Sequence, residues 1–261
     1  MLTKASACAA ALVVLMSCAT APERRAEPAS SGPARVRSEV VRRHAEQFRT
    51  ELPERPAGSQ EEELAATYVL GHLQRAGYVV FLDPVPVADL VQSTNVMALP
   101  PSGEDPAAVV VVPYDTSADA PDHAVSLGLF LELARATFAA APDHSIEFVA
   151  LGAQHADVSG GRLGARRLAR YVADRDQHPV VLSLQALGEQ GGVSAAGPAA
   201  PDLEALARRL GVATAPPHED DPVAEVFTAA GFETTSVGGG ADGAGQVLLH
   251  WLKTPPRVTP R

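Results

Sequence analysis

Apolar residues Val36, Val40, Val41, Phe48 and Leu52 recur mostly at helical spacing, which predicts an amphipathic helix over residues 36–52. The turn Arg55-Pro56-Ala57-Gly58-Ser59 stops it. Ser59 is then placed to cap a second helix, with Glu61, Glu62 and Glu63 in a first turn where acidic side chains suit the helix dipole. That helix is expected to run to about Ala76 and end at Gly77. Strands are predicted at residues 78–82, 95–99, 107–112, 145–151 and 180–184, with short ones at 234–237 and 246–249. Between them the pattern predicts helices at 123–140, 163–173, 203–210 and 223–230.

The stretch AAVVVV ending at Val112 is continuously apolar, as a strand buried on both faces requires. Alternating strands and helices of this kind predict an α/β fold: a three-layer α/β/α sandwich around a mostly parallel sheet. Ligands of such sheets bind beyond the carboxyl ends of the strands. The loops at residues 113–122, 152–161 and 185–192 therefore carry the most functional interest.

The amino terminus changes the picture. Lys4 precedes a short apolar run, AAALVVL, far shorter than the ~20 residues a membrane-spanning helix needs. It reads as a signal peptide over residues 1–17. It ends in Leu15-Met16-Ser17-Cys18, which resembles the lipobox of bacterial lipoproteins and implies lipid attachment at Cys18. Ala19 after the cysteine favours the periplasmic face of the outer membrane over the inner membrane. Residues 18–34 (CATAPERRAEPASSGPA) then read as the lipidated cysteine and a flexible tether, and residues 35–261 as one domain. The remaining cysteine, Cys8, lies in the removed segment, so the mature chain has no thiol for a disulfide or a Cys-ligated metal. A net charge of −10 with no basic cluster excludes a nucleic-acid surface.

The loops resemble, in order and spacing, the zinc aminopeptidase family that includes bacterial leucyl aminopeptidases, glutamate carboxypeptidase and glutaminyl cyclases. The turn Arg55-Pro56-Ala57-Gly58-Ser59 matches the family's opening signature, and Gly77-Tyr78 follows it. Pro113-Tyr114-Asp115-Thr116 stands where the family has His-Tyr-Asp-Ser. Asp122 opens the segment matching Asp-Asn-Ala-Ser-Gly, which finishes in Glu132-Leu133-Ala134-Arg135. Gln154-His155 stands for Glu-Glu, and Gln185-Ala186-Leu187-Gly188 for Asp-Met-Val-Gly. His250 precedes Thr254-Pro255 as the family's last ligand precedes its Asp-Thr-Pro segment, with Lys253 in the Asp position.

The departures fall on chemistry. By the resemblance, Asp122 corresponds to the carboxylate that bridges two zinc ions. The other ligands of the first zinc correspond to Pro113 and Gln185, degenerate positions with no side chain suited to zinc. The second zinc would take Asp122, His155 and His250, so one ion at most is expected. Glutaminyl cyclases show that the fold can work with one zinc. The family's general base corresponds to Gln154, whose amide cannot accept the proton of an attacking water. His123 is expected to point elsewhere, and Asp115, which in the family steadies the missing histidine, to be structural. His44, His72, His144, His178 and His218 read as surface residues, Trp251 as core, and Glu219-Asp220-Asp221 as a solvated loop. The family's Ser-Asp-His segment corresponds to Pro222, Val223 and Ala224.

Changes at positions 113, 154, 155, 185 and 223 together imply a catalytically impaired pseudopeptidase, anchored to the membrane by lipid and binding a peptide or cell-envelope ligand. The surviving ligand types leave two alternatives: a mononuclear zinc-dependent aminopeptidase-like hydrolase, and a purely structural envelope lipoprotein.

Overall fold

A computed structural model describes residues 34–99, 103–143, 145–217 and 220–254. The signal segment, Cys18, nearly all of the tether, His144, His218, Glu219 and Pro255 lie outside the described residues. In chain order the elements are α1 (Ser38–Thr50), α2 (Gln60–Ala76), β1 (Val79–Ala88), β2 (Val91–Leu99), β3 (Ala108–Pro113), α3 (Ala124–Ala140) and β4 (Ile146–Leu151). They continue with α4 (Leu163–Ala173), β5 (Val180–Leu184), β6 (Val193–Ala196), α5 (Ala200–Leu210), α6 (Pro222–Ala229), β7 (Thr234–Gly239) and α7 (Ala241–Lys253).

The strands form one sheet in the order β1-β2-β4-β3-β5-β7-β6. Its centre, β4-β3-β5-β7, is parallel. The pairs β1–β2, β2–β4 and β6–β7 are antiparallel, so both margins of the sheet carry a reversed strand. β1 is an edge strand, which accommodates Pro84 and Pro86 without breaking a central ladder.

The valine run explains the layers. Side chains alternate across a strand, and Val110 and Val112 pack with Phe48 of α1, Leu73 of α2, Leu133 of α3, Leu203 of α5 and Leu248 of α7. Val109 and Val111 face the other way, onto Leu168 of α4 and Phe227 of α6. β3 is buried along its whole length because both its faces are covered. The three-layer α/β sandwich expected from the sequence is the fold found.

Helix α2 starts and stops as its sequence predicts. Ser59 accepts a hydrogen bond from Glu62 N, and Gly77 closes the helix at φ 111°, a conformation glycine adopts without strain.

Two elements differ from expectation. Residues 246–249 are not a strand but the middle of α7. The run QVLL carries a strand-like apolar density, and Gly243 and Gly245 weaken the local helix signal. Those glycines are where α7 meets its neighbours: an added Cβ at Gly243 would stand 2.7 Å from Gly191 O, and one at Gly245 would stand 2.9 Å from Leu129 Cδ1. Packing, rather than propensity, decides this helix. The unexpected strand β6 is four residues long and pairs antiparallel with β7. Among the described residues no helix is long and apolar enough to cross a membrane.

Candidate functional site

Beyond the carboxyl ends of β3, β5 and β7 the sheet opens into a cavity of about 610 Å³, walled on one side by the start of α6. Pro113 ends β3, Gln185 follows β5, and Gly238 and Gly239 end β7. Four of the positions singled out in the sequence, Pro113, Gln154, His155 and Gln185, line this cavity, as does Val223.

The loop after β4 is set by a buried carboxylate. Asp115 is fully buried, and its two oxygens accept from Gln154 N at 3.0 Å and His155 N at 2.8 Å. Burial pushes its pKa up to about 6, against the pull of those two amides. Asp115 is structural, as expected, and its hydrogen bonds fix the backbone of the two residues that face the cleft.

Gln154 is 4% exposed. Its Nε2 donates to Gly152 O at 3.1 Å, and its Oε1 is buried without a hydrogen-bond partner. Gln185 Nε2 donates to Asp220 O at 3.4 Å, and its backbone carbonyl accepts from Ser126 Oγ.

His123 does not point elsewhere. It is 7% exposed, lines the cavity and stacks on His155 with ring centroids 5.8 Å apart. Burial, and then the neighbouring His155, bring the His123 pKa down to about 4. Burial, and then Arg55, also lower that of His155. His123 is therefore neutral at neutral pH, and the shift of His155 favours its neutral form. The signal for His123 was its place directly in front of α3, in a loop after a central parallel strand.

Asp122 goes the other way. Its Oδ2 accepts from Arg49 Nε at 2.8 Å and its Oδ1 from Ala124 N at 2.9 Å, and its side chain is 53% exposed. Although partial burial opposes it, the Ala124 amide and Arg49 hold this carboxyl below the usual carboxylate range. Asp122 lines a separate hollow of about 550 Å³ with Arg49 and Arg55, across Pro121 from the cleft.

His250 is farther away still. Helix α7 starts where β7 ends, at the cleft, and runs back along the sheet. At 1.5 Å per residue His250 lies about 14 Å from the first residue of α7. It is exposed, and its Nδ1 donates to Gln246 O one turn earlier, at 2.9 Å. Its match to a metal ligand rested on the neighbouring Thr254-Pro255, and helix geometry carries it out of the site.

Other readings change as well. His44 and His72 are not isolated surface residues: His44 is buried and hydrogen-bonds Tyr68 Oη through Nδ1 at 2.7 Å, and His72 packs against both rings. His178 is exposed and lies 3.4 Å from Asp176. Trp251 is buried, as expected of core. Asp221 is more than a solvated loop residue: its Oδ1 accepts from Val223 N and Ala224 N and caps α6.

No family model matches the chain, and no curated protein matches it in sequence. Solved structures do. A leucine aminopeptidase precursor from Bacteroides thetaiotaomicron superposes with a TM-score of 0.68, covering 85% of this chain and 98% of its own, at 14% identity. The fold is that of the zinc-dependent exopeptidases and glutaminyl cyclases. A glutaminyl cyclase from the same organism, bound to N-acetylhistamine, gives a TM-score of 0.68 at 14% identity, covering 85% of this chain and 99% of its own. A zinc aminopeptidase from Bacillus subtilis gives 0.65 at 11% identity, covering 79% and 86%.

The donors that this chain presents do not fit the zinc for which the Bacillus subtilis aminopeptidase is named. Asp122 is held by Arg49 outside the cleft cavity, His250 is at the far end of α7, and Pro113 and Gln185 offer no anionic or imidazole donor. Among the described residues no group of three or more His, Cys, Asp or Glu side chains is placed to hold a metal. Of the expected trio Asp122, His155 and His250, the cleft keeps His155 alone.

Proposed function

We propose that this protein is a lipid-anchored envelope component that uses an exopeptidase fold to bind a peptide or cell-envelope fragment without hydrolysing it. The observation that carries the reading is the donor set of the cleft. By the resemblance, the residue corresponding to the family's general base is a side-chain amide, Gln154, which lines the cleft, while Asp122 is held by Arg49 and His250 by its own helix. An amide has no pKa near neutrality, and loss of general-base catalysis alone costs ~10²–10⁴ in rate. What remains is a concave site of the size that small-molecule ligands occupy, roughly 300–1,000 Å³. The lipobox-like Leu15-Met16-Ser17-Cys18 supports anchoring through Cys18, and Ala19 supports the periplasmic face of the outer membrane.

The test is turnover. Purified protein is incubated with aminoacyl p-nitroanilides and with peptides bearing N-terminal glutamine. No release of nitroaniline and no cyclisation above a buffer control is expected, and steady turnover that is abolished by a chelator would overturn the reading. Palmitate labelling that is lost in Cys18→Ser tests the anchor.

A further inference from the structure

Arg55 opens the turn into α2 with its side chain folded inward, and the residue is 2% exposed. Main-chain carbonyls alone solvate its guanidinium. Nε donates to Tyr114 O at 2.6 Å, and Nη1 donates to Phe48 O at 3.4 Å and to Leu52 O. The two carboxylates whose charge it feels are committed elsewhere. Asp122 is bound by Arg49 and the Ala124 amide, and Asp115 by the amides of Gln154 and His155. Burial lowers the pKa of Arg55, with those carboxylates opposing, but an arginine stays charged at neutral pH. A buried cation without its own anion is costly to the fold.

The third guanidinium nitrogen, Nη2, makes no hydrogen bond with the protein. Nor is it sealed, since it does not count among the polar atoms that are both unpartnered and closed to water. The small open part of Arg55 therefore includes this nitrogen, and Arg55 lines the hollow of about 550 Å³ on the far side of Pro121 from the cleft. Ser117 lines it too, and its half-buried hydroxyl is likewise unpartnered and open.

Four charged side chains line this hollow: Arg49, Glu54, Arg55 and Asp122. Arg49 and Asp122 are paired at 2.8 Å and offset each other. What remains is Arg55, buried and held in place, against Glu54, which is exposed and makes no ion pair among the described residues. Burial decides between these two. Water already stabilises the carboxylate of Glu54, so a cationic ligand gains little from it and is repelled by Arg55. An anion gains the contact that Arg55 lacks. Glu54 and Asp122 set the limit on that anion, because a second negative charge would face two carboxylates and only one free cation. The apolar surfaces of Pro53, Pro56, Ala118 and Ala124 suit a hydrophobic body, and the volume suits a small molecule.

We propose that this hollow is a second ligand site, which takes a small monocarboxylate with an apolar body. The carboxylate accepts from Arg55 Nη2 and Ser117 Oγ, and the body lies against the prolines and alanines of the wall. The site is separate from the cleft and does not depend on what the cleft binds.

The test is calorimetric titration of the purified protein with four probes that share one branched body: N-acetyl-leucine, 4-methylpentanoate, N-acetyl-leucinamide and leucinamide. The first two are carboxylates, one resembling a peptide end and the other a free acid. The third is neutral and the fourth cationic. Saturable binding of at least one carboxylate, which neither amide displaces in competition, is the expected result. Which carboxylate binds tells a peptide C-terminus from a free acid. Ser117→Ala is expected to weaken the binding about tenfold. Glu54→Gln is expected to tighten it about threefold, because a like charge is removed. Arg55→Met is expected to abolish it, with cooperative thermal unfolding as the check that this variant folds; if it does not, the other two variants carry the test. Failure of both carboxylates to bind, or displacement by an amide, overturns the proposal. So does a carboxylate affinity that neither Ser117→Ala nor Glu54→Gln moves. Turnover of the p-nitroanilides would sink the non-hydrolytic reading of the cleft and leave this site standing.

Discussion

Arg49 Nε donates to Asp122 Oδ2 at 2.8 Å, tying the last turn of α1 to the loop in front of α3 across 73 residues of sequence. A second guanidinium nitrogen of Arg49 reaches Glu189 at 3.3 Å. The carboxylate at the position where the resembled enzymes bridge two metal ions is here one arm of a surface ion-pair network. Its neighbour His123 takes the place inside.

Because both partners of this pair are substantially exposed, breaking it changes little. Arg49→Met is expected to shift the unfolding free energy by no more than about 1 kcal/mol in urea denaturation. It is also expected not to create zinc affinity, since freeing Asp122 leaves His250 at the far end of α7. Zinc uptake by the variant after equilibrium dialysis would contradict this.

Restoring the missing base does not restore the enzyme. Gln154→Glu is expected to give no hydrolysis of aminoacyl p-nitroanilides. Placing a carboxyl where the amide is buried, beside Gly152 O and the Asp115 loop, is expected to cost about 1–3 kcal/mol of stability. Chemical denaturation and a turnover assay on the same preparation check both halves.

Glu147 sits on β4 against the α4 side of the sheet, and burial pushes its pKa up to about 8, with Arg175 opposing. The folded state therefore holds this proton more tightly than the unfolded chain does. Stability from this group is complete below about pH 4.5 and declines as pH rises through 8. Glu147→Gln is expected to melt higher than wild type above pH 8, with the gap closing towards pH 5, when thermal unfolding is followed across the range.

The histidines act with the opposite sign. Burial brings His44 and His72 down to about 4, so the folded state resists protons that the unfolded chain accepts. Their contribution is complete above about pH 6.5 and is lost as pH falls towards 4. The double variant with His44→Gln and His72→Gln is expected to lose less stability between pH 6.5 and 4 than wild type does, measured by denaturant midpoints.

Much of this was legible in the chain. The valine run of β3 announced a strand covered on both faces, and Ser59 and Gly77 announced the ends of α2. The order of Pro113, Gln154, His155 and Gln185 placed four residues in one cleft, because loops at the carboxyl ends of neighbouring parallel strands must converge. What the chain did not disclose depends on contacts distant in sequence. Nothing near Asp122 announces Arg49, and nothing near His44 announces Tyr68. In α7, glycines that read as helix breakers are notches for Gly191, Leu129 and Val36. His250 was matched to a ligand through the neighbouring Thr254-Pro255, and a match in sequence order does not show that the helix before that segment turns the residue away from the cleft.

The most direct test of the account is the zinc content of the protein purified without chelator, measured by plasma mass spectrometry after dialysis. A donor set dispersed among Arg49, a helix end and two side-chain amides predicts far less than one zinc per chain. One or two zinc ions per chain that survive dialysis would contradict it.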